Sequence, residues 1–374
     1  MIKVKNLIIL YPSFERGGAT INLINFVNIC ALKNIKIHLI TNIKKEDKKK
    51  FLKKNIKFIN LNNKVRYKII NRLITSITSI FLLLNLFKNI DAKNSLVVSF
   101  QSHILPIVFS KLFRRKIVIR NSEDIIEATK YADYKLSALF VFLLKLFFYN
   151  FSNGIITNSN KAKRSLDMIT FKNKTKLIFN PYLKKLFGKK IIKRKNFILS
   201  VGRLCKQKNQ TIAIIAFYNF LKKFPNYKLV LIGHGGDEFK LRKLCTKLNI
   251  VKNVIFKGWL PNPKKYYLKS KILIFPSLYE GLPNTLIEAV NYNLPCISTK
   301  CSGATDILTE KYGTFTSRYN HTLLTKKMID SILNYKKTLS NNQKIKKKLS
   351  RFLITPQVSK YISYCNDVMN DSNK

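Results

Sequence analysis

The sequence predicts a doubly wound α/β chain in two domains, and three observations carry that prediction. The 374 residues exceed one domain of ordinary size and suit two, each large enough to bury its own core. Near the N-terminus an apolar strand at 5–11 runs into Gly17-Gly18 and a helix, the opening unit of a doubly wound domain. The order strand, glycine turn, helix returns over 271–306, now carrying two glutamates.

Taken in order, 5–11 is the first strand and 12–16 a loop before Gly17, Gly18, Ala19 and Thr20. Ile21, Leu23, Ile24, Phe26 and Val27 then share one face of a helix. Glycine at a strand end lets the backbone approach a diphosphate or sugar. Residues 35–41 form a second strand, and KKEDKKKFLKK at 44–54 a solvated helix face or loop. Residues 73–87 are strongly apolar but too short, and too interrupted by Thr and Ser, for a bilayer span; a buried helix is expected. A strand at 95–100 delivers Gln101, Ser102 and His103 at its end, where ligands bind in open α/β sheets, so His103 is a candidate site residue. Another strand at 117–120 leads into Asn121, Ser122, Glu123 and Asp124; Arg120 and Glu123 are either ligand contacts or ordinary surface residues. Residues 131–151 are apolar nearly all round, dense in phenylalanine and interrupted by Lys145. Burial in the core, with one edge reaching a membrane interface, is expected there. A strand at 154–158, a helix from Ser159 and the segment 176–179 before Asn180-Pro181 complete the first half.

The second half follows a lysine-rich stretch at 182–196. A strand at 197–201 delivers Gly202, Arg203 and Leu204, then Lys208, so that a fork and a point charge five residues apart can hold a diphosphate. The strand 227–232 ends in Gly233, His234, Gly235 and Gly236, a turn in which His234 receives no role. The strand 254–256 leads to Lys257, Gly258 and Trp259. The strand 271–275 is closed by Pro276 and Ser277, and Glu280, Gly281, Leu282 and Pro283 make the turn into a helix at 284–292. The first amides of that helix favour an anion. Glu280 and Glu288, with seven residues between them, add acceptors for hydroxyl groups. Carboxylates beside an anion-binding helix end suit a nucleotide-activated polyol better than a simple phosphate, which they would repel. A second glycine turn, Gly303-Ala304, follows, and beyond Tyr312-Gly313 the chain becomes helical to a last helix at 352–369.

The formal net charge is +52. Part of it reflects a general excess of lysine; the remainder makes a field that attracts an anionic membrane, a phosphorylated acceptor or nucleic acid. Zinc-finger spacing, an RNP-like aromatic motif and a basic helix register are absent from the sequence, which counts against nucleic acid. The six cysteines form no C-x-x-C pair and are expected as buried free thiols in a reducing compartment. Four scattered histidines and no Asp-x-Asp leave a metal without obvious ligands. Residues 7–10 are too short for a signal-peptide core, so a cytoplasmic location is expected.

The run FPSLYEGLPNTLIEAV, with its glutamate, seven residues, glutamate pattern, resembles the signature of glycosyltransferase family 4, retaining enzymes of the GT-B fold. VGRL followed by Lys208, the glycines at 233–236, the Gly258 stretch and Gly303-Ala304 resemble further segments in that family's order. The likeness is specific over 201–306 and loose elsewhere. Thr20 stands where the family commonly has glutamate after Gly-Gly-Ala, and Lys269 to Lys271 replace its usual alanine-aspartate. The resemblance implies two Rossmann-like domains facing a cleft: an acceptor domain at 1–181, a linker at 182–196, a nucleotide-sugar domain at 197–350, and a helix and tail at 351–374 that cross back to the first domain. It implies retaining transfer from a nucleotide sugar, UDP being the commonest carrier, to a lipid-linked or glycan acceptor at the inner face of the cytoplasmic membrane, with no metal or other cofactor. It places Arg203 and Lys208 on the donor phosphates with the backbone of Leu282, Pro283, Asn284 and Thr285, and Glu288 on the ribose. Glu280 and His103 fall at the transferred sugar, Gly17, Gly18 and Gly258 along the donor, and Arg120 and Glu123 toward the acceptor. The rivals are a soluble GT-B enzyme with a small acceptor, a sugar-nucleotide epimerase, and a basic nucleic-acid-binding protein.

Overall fold

The computed structural model describes residues 3–15, 17–52, 55–61, 68–171, 174–188 and 193–371. Arg16 of the expected first loop, Lys53 and Lys54 of the lysine run, 189–192 of the expected linker and both chain ends lie outside them. The chain divides into two compact units, Met1–Lys184 with Phe352–Lys374, and Lys185–Arg351.

Among the described residues the first unit is built on a parallel sheet of β1 (Asn6–Ser13), β2 (Lys36–Asn42), β3 (Ile56–Asn60), β4 (Ser95–Ser99), β5 (Ile117–Asn121), β6 (Gly154–Thr157) and β7 (Thr175–Leu177). Their order is β3-β2-β1-β4-β5-β6-β7. A parallel sheet covered on both faces needs strands that are apolar throughout, and Leu7, Ile8, Ile9, Leu10 and Tyr11 are all buried. The helix Gly18–Leu32 and the C-terminal helix Ile354–Asn370 cover one face through Phe26, Val27, Val358, Tyr361, Cys365 and Val368. Gly154 makes that docking possible: a Cβ there would lie 2.7 Å from Tyr364 Oη and 3.0 Å from Val368 Cγ2. Lys116 Nζ closes the end of the C-terminal helix, donating to the carbonyls of Val368 (3.0 Å), Met369 (3.1 Å) and Asp371 (2.7 Å).

The helices Lys68–Asn89, Ile104–Leu112 and Lys135–Phe148 belong to the other face. Two expectations of burial are corrected here. In the first of these helices Ile80, Leu83, Leu86 and Phe87 are buried, whereas Ile77 and Phe81 stay 53% and 68% exposed. The helix Lys135–Phe148 has no buried residue. Its neighbours cover one side of it: Phe142 packs against the core and Tyr149 just beyond it is fully buried, while the opposite side is left outward.

The second unit repeats the plan with β8 (Phe197–Val201), β9 (Lys228–Ile232), β10 (Val254–Phe256), β11 (Ile272–Phe275), β12 (Cys296–Thr299) and β13 (Thr314–Thr316), ordered β10-β9-β8-β11-β12-β13 and all parallel. Tyr182 and Leu183 donate to the Phe352 carbonyl within the first unit. Arg194 instead staples the second, its guanidinium donating to the carbonyls of Tyr267, Ser270, Tyr292 and Asn293 at 2.6–3.2 Å. All six cysteines are free, and burial pushes the Cys245 and Cys365 thiols up to about 11 and about 12, so they sit as small apolar side chains.

Candidate active site

In the second unit the neighbouring strands β8 and β11 continue to opposite sides of the sheet, leaving a crevice beyond their C-terminal ends. The loops after these two strands carry Arg203, Lys208 and Glu280. Lys208 Nζ donates to Glu280 Oε1 and lies 5.0 Å from the centre of the Phe275 ring, both side chains being largely covered. Gln207 ties the two loops: its Nε2 donates to Tyr279 O (3.0 Å), its Oε1 accepts from exposed Arg203 (3.1 Å), and its carbonyl accepts from Leu278 N (2.8 Å). Arg203 and Lys208 thus bracket a turn that ends in a carboxylate.

Glycines set the contacts among these loops. At Gly233, φ is +148° and a Cβ would fall 1.8 Å from the Gly202 carbonyl oxygen. At Gly303, φ is +73° and a Cβ would fall 2.1 Å from the Gly281 carbonyl oxygen, so the loop after β12 presses directly on the Glu280 turn. Gly258, at the end of β10, accepts from Gly233 N at 2.8 Å, joining its loop to the β9 turn.

The helix Asn284–Asn291 starts from Pro283 with no side-chain cap, and Leu282 is buried behind the turn. Asn284 and Thr285 therefore form a first turn whose positive dipole end carries no acidic or capping side chain of its own. One turn further along, Glu288 is held by Tyr267, whose hydroxyl donates to Oε2 at 2.6 Å. Tyr267 is fully buried and stacks on Tyr292 with centroids 5.7 Å apart. Burial, and then the Glu288 charge, push the Tyr292 phenol up, which keeps it neutral beside that carboxylate.

In the first unit the corresponding crevice lies between β1 and β4. Gly17 precedes the helix with open space where a Cβ would be, and Gly18 is its first residue. Thr20 donates to the Glu15 carbonyl and accepts from Tyr11 Oη at 2.9 Å, so it secures the glycine loop in place of an acid. Ser13 N donates to Gln101 Oε1 at 3.1 Å, joining the β1 loop to the β4 loop that carries His103. Ser99 Oγ donates to Gln101 O at 2.9 Å and so accepts from His103 Nδ1–H, also at 2.9 Å. That tautomer makes Nε2 an acceptor. Crowding of the ring by protein atoms, then the charges of Lys145 and Arg120, hold His103 down to about 3, neutral at physiological pH.

The two residues expected toward an acceptor are placed differently from each other. Arg120 is 2% exposed and spent inside the unit, donating to Tyr361 Oη (2.9 Å), Ser122 Oγ (2.5 Å) and Asn180 Oδ1 (2.6 Å). It corrects the expectation of a ligand contact: its arginine fork fastens the C-terminal helix to the sheet. Glu123 is partly exposed and pairs with Lys145 at 2.9 Å. Tyr267 and Gln207 are the positioning residues that sequence reasoning missed; each sits in a polar run whose partner lies far along the chain.

Residues 184–348 match the family model described as glycosyl transferases group 1. Over 225 residues, 55% of this chain, the sequence is 34% identical to an uncharacterized glycosyltransferase, MJ1059, of Methanocaldococcus jannaschii, covering 54% of that protein. Over 217 residues, 57% of this chain, it is 30% identical to the capsular polysaccharide biosynthesis glycosyltransferase CapH of Staphylococcus aureus, covering 60% of it. These matches span a little over half the length of each relative. The fold extends further: the crystal structure of Anabaena HepE in complex with UDP superposes with a TM-score of 0.76 over 97% of this chain and 100% of that one, at 16% identity. The structure of WaaG, a glycosyltransferase involved in lipopolysaccharide biosynthesis, does so with a TM-score of 0.75 over 98% and 100%, at 14% identity. The fold is that of the GT-B glycosyltransferases, two parallel-sheet Rossmann-like units.

Proposed function

We propose that the chain is a glycosyltransferase that moves a sugar, with retention at the anomeric carbon, from a nucleoside-diphosphate sugar to a hydroxyl of a membrane-associated glycan or lipid-linked acceptor. The observation that carries this is the convergence of Arg203, Lys208, Glu280 and the uncapped helix Asn284–Asn291 beyond β8 and β11. UDP is the carrier we assign, supported by the UDP in the HepE structure. A role in polysaccharide or lipopolysaccharide biosynthesis is supported by the names of CapH and WaaG.

As the glycosidic bond breaks, negative charge grows on the leaving diphosphate. Arg203, Lys208 and the amides of the first helical turn are preorganised donors for that charge, so the reading needs no metal ion. Lys208 must turn from Glu280 toward the phosphates, which releases the carboxylate to accept sugar hydroxyls and to steady positive charge at the anomeric carbon. Glu288, oriented by Tyr267, accepts from the ribose hydroxyls. Neutral His103 accepts a substrate hydroxyl on Nε2. Attack comes from the leaving-group face, with a diphosphate oxygen taking the acceptor proton; the two glutamates do not form the acid and nucleophile pair of a glycosidase. We place the protein at the inner face of the cytoplasmic membrane.

Calorimetry with UDP, GDP, ADP and their sugars in EDTA tests this, with Glu288→Ala and Arg203→Ala alongside. One diphosphate nucleotide should bind without metal, and each substitution should weaken it at least about tenfold. Absence of nucleotide binding, or binding indifferent to both substitutions, would overturn the proposal.

A further inference from the structure

The outward side of the helix Lys135–Phe148 is a feature that the proposed chemistry leaves unused. Leu136, Phe140, Leu143 and Phe147 follow helical spacing along one stripe and are 85%, 62%, 53% and 58% exposed, with Leu139 and Leu146 beside them at 49% and 41%. Tyr134 stands at the start of the stripe, 80% exposed. The neighbouring helix Ile104–Leu112, which packs against this one, ends in Leu112 and Phe113, 69% and 49% exposed, followed by exposed Arg114. Exposed apolar side chains in such continuity mark a contact surface.

The occupant follows from charge and length. Between 130 and 151 the charged residues are Lys130, Asp133, Lys135 and Lys145, and Lys145 is turned inward onto Glu123. The stripe itself is free of charge while its start is flanked by exposed Lys130, Asp133 and Lys135, a net positive group. A second copy of a chain carrying +52 would be repelled, whereas an anionic surface would be drawn in. At 1.5 Å per residue the helix is about 21 Å long, short of a hydrocarbon core, and among the described residues no helix is long and apolar enough to cross a membrane. We propose that Lys135–Phe148 lies in the plane of an anionic lipid bilayer, with Leu136, Phe140, Leu143 and Phe147 set into the acyl boundary and Lys130 and Lys135 at the headgroups. This deepens the membrane part of the function proposed above and does not depend on the transfer chemistry.

The test is sedimentation of the full chain with vesicles of equal parts phosphatidylglycerol and phosphatidylcholine, and with phosphatidylcholine alone. The double substitution Phe140→Ser with Phe147→Ser should lower partition onto the anionic vesicles at least about tenfold. Phe239→Ser, at an 81% exposed position of the other unit, should leave partition unchanged. As a second readout, Phe140→Trp in a Trp259→Phe background should be quenched by lipids brominated along the acyl chain. Equal vesicle binding by wild type and the double variant, or no quenching, would overturn the inference and leave nucleotide binding untouched. A concentration-dependent dimer that the double variant abolishes, without change in vesicle binding, would assign the face to a second copy instead.

Discussion

Removing one hydroxyl, by Tyr267→Phe, isolates what orients Glu288. The ring is fully buried and stacked on Tyr292, so the substitution keeps the packing and deletes the 2.6 Å bond to Oε2. A hydrogen bond to a charged group contributes about 1.5–3 kcal/mol. Glu288 is partly open to water, which replaces some of that, so the lower end, about 1.5 kcal/mol, is expected. At about 1.4 kcal/mol per decade this raises the Kd of the bound diphosphate nucleotide roughly tenfold. Calorimetry should be run with the ribonucleotide and with its 2′,3′-dideoxy analogue. If Glu288 serves the ribose, the tenfold loss appears with the first and vanishes with the second. An equal loss with both would refute the reasoning and show that Tyr267 acts through the position of the helix.

Three further outcomes are expected. Glu280→Gln removes the charged partner that holds Lys208, so diphosphate affinity should rise severalfold while turnover falls at least about a hundredfold; Lys208→Ala should instead lose affinity about tenfold, and the opposite signs are read from paired binding and rate measurements. His103 is held neutral by burial, with a native pKa depressed to about 3, so it contributes stability above the usual value near 6.5 that is lost as pH falls toward 3. Compared with His103→Gln, the wild type should lose about 1.4 kcal/mol of unfolding free energy per pH unit between pH 6 and 4, measured by urea denaturation, and a constant difference would contradict the assignment. Gly303→Ala puts a methyl group 2.1 Å from the Gly281 carbonyl oxygen at φ +73°; about 1–3 kcal/mol of stability and a measurable part of nucleotide affinity should go together, because the Glu280 turn must move.

The corrections to sequence reasoning have physical causes. Arg120 sits at a strand end, as a ligand contact would, yet Tyr361 and Asn180 reach it from positions 241 and 60 residues away. Local pattern carries no information about such partners. The helix Lys135–Phe148 looks like core because its composition is apolar on every side, but burial depends on how many neighbours the fold supplies, and here they cover one side. Strand β3 carries a weak signal because its residues are only partly buried at the sheet edge, and its pattern is diluted accordingly.

By itself the sequence determined the sites of chain reversal and the kinds of groups placed beside them. Continuous apolar runs made buried parallel strands, glycines made the turns, and Arg203, Lys208, Glu280, Glu288 and His103 follow at strand ends or on the next helix because those properties are local. Strand order in the folded chain sets β8 against β11 and β1 against β4, which brings loops distant in sequence to one crevice in each unit. It also decided which polar groups meet: Lys208 with Glu280, Tyr267 with Glu288, Ser99 with His103. Periodicity reports whether a face is buried, while the identity of the group across from it is set by strand order, and strand order is a property of the whole chain.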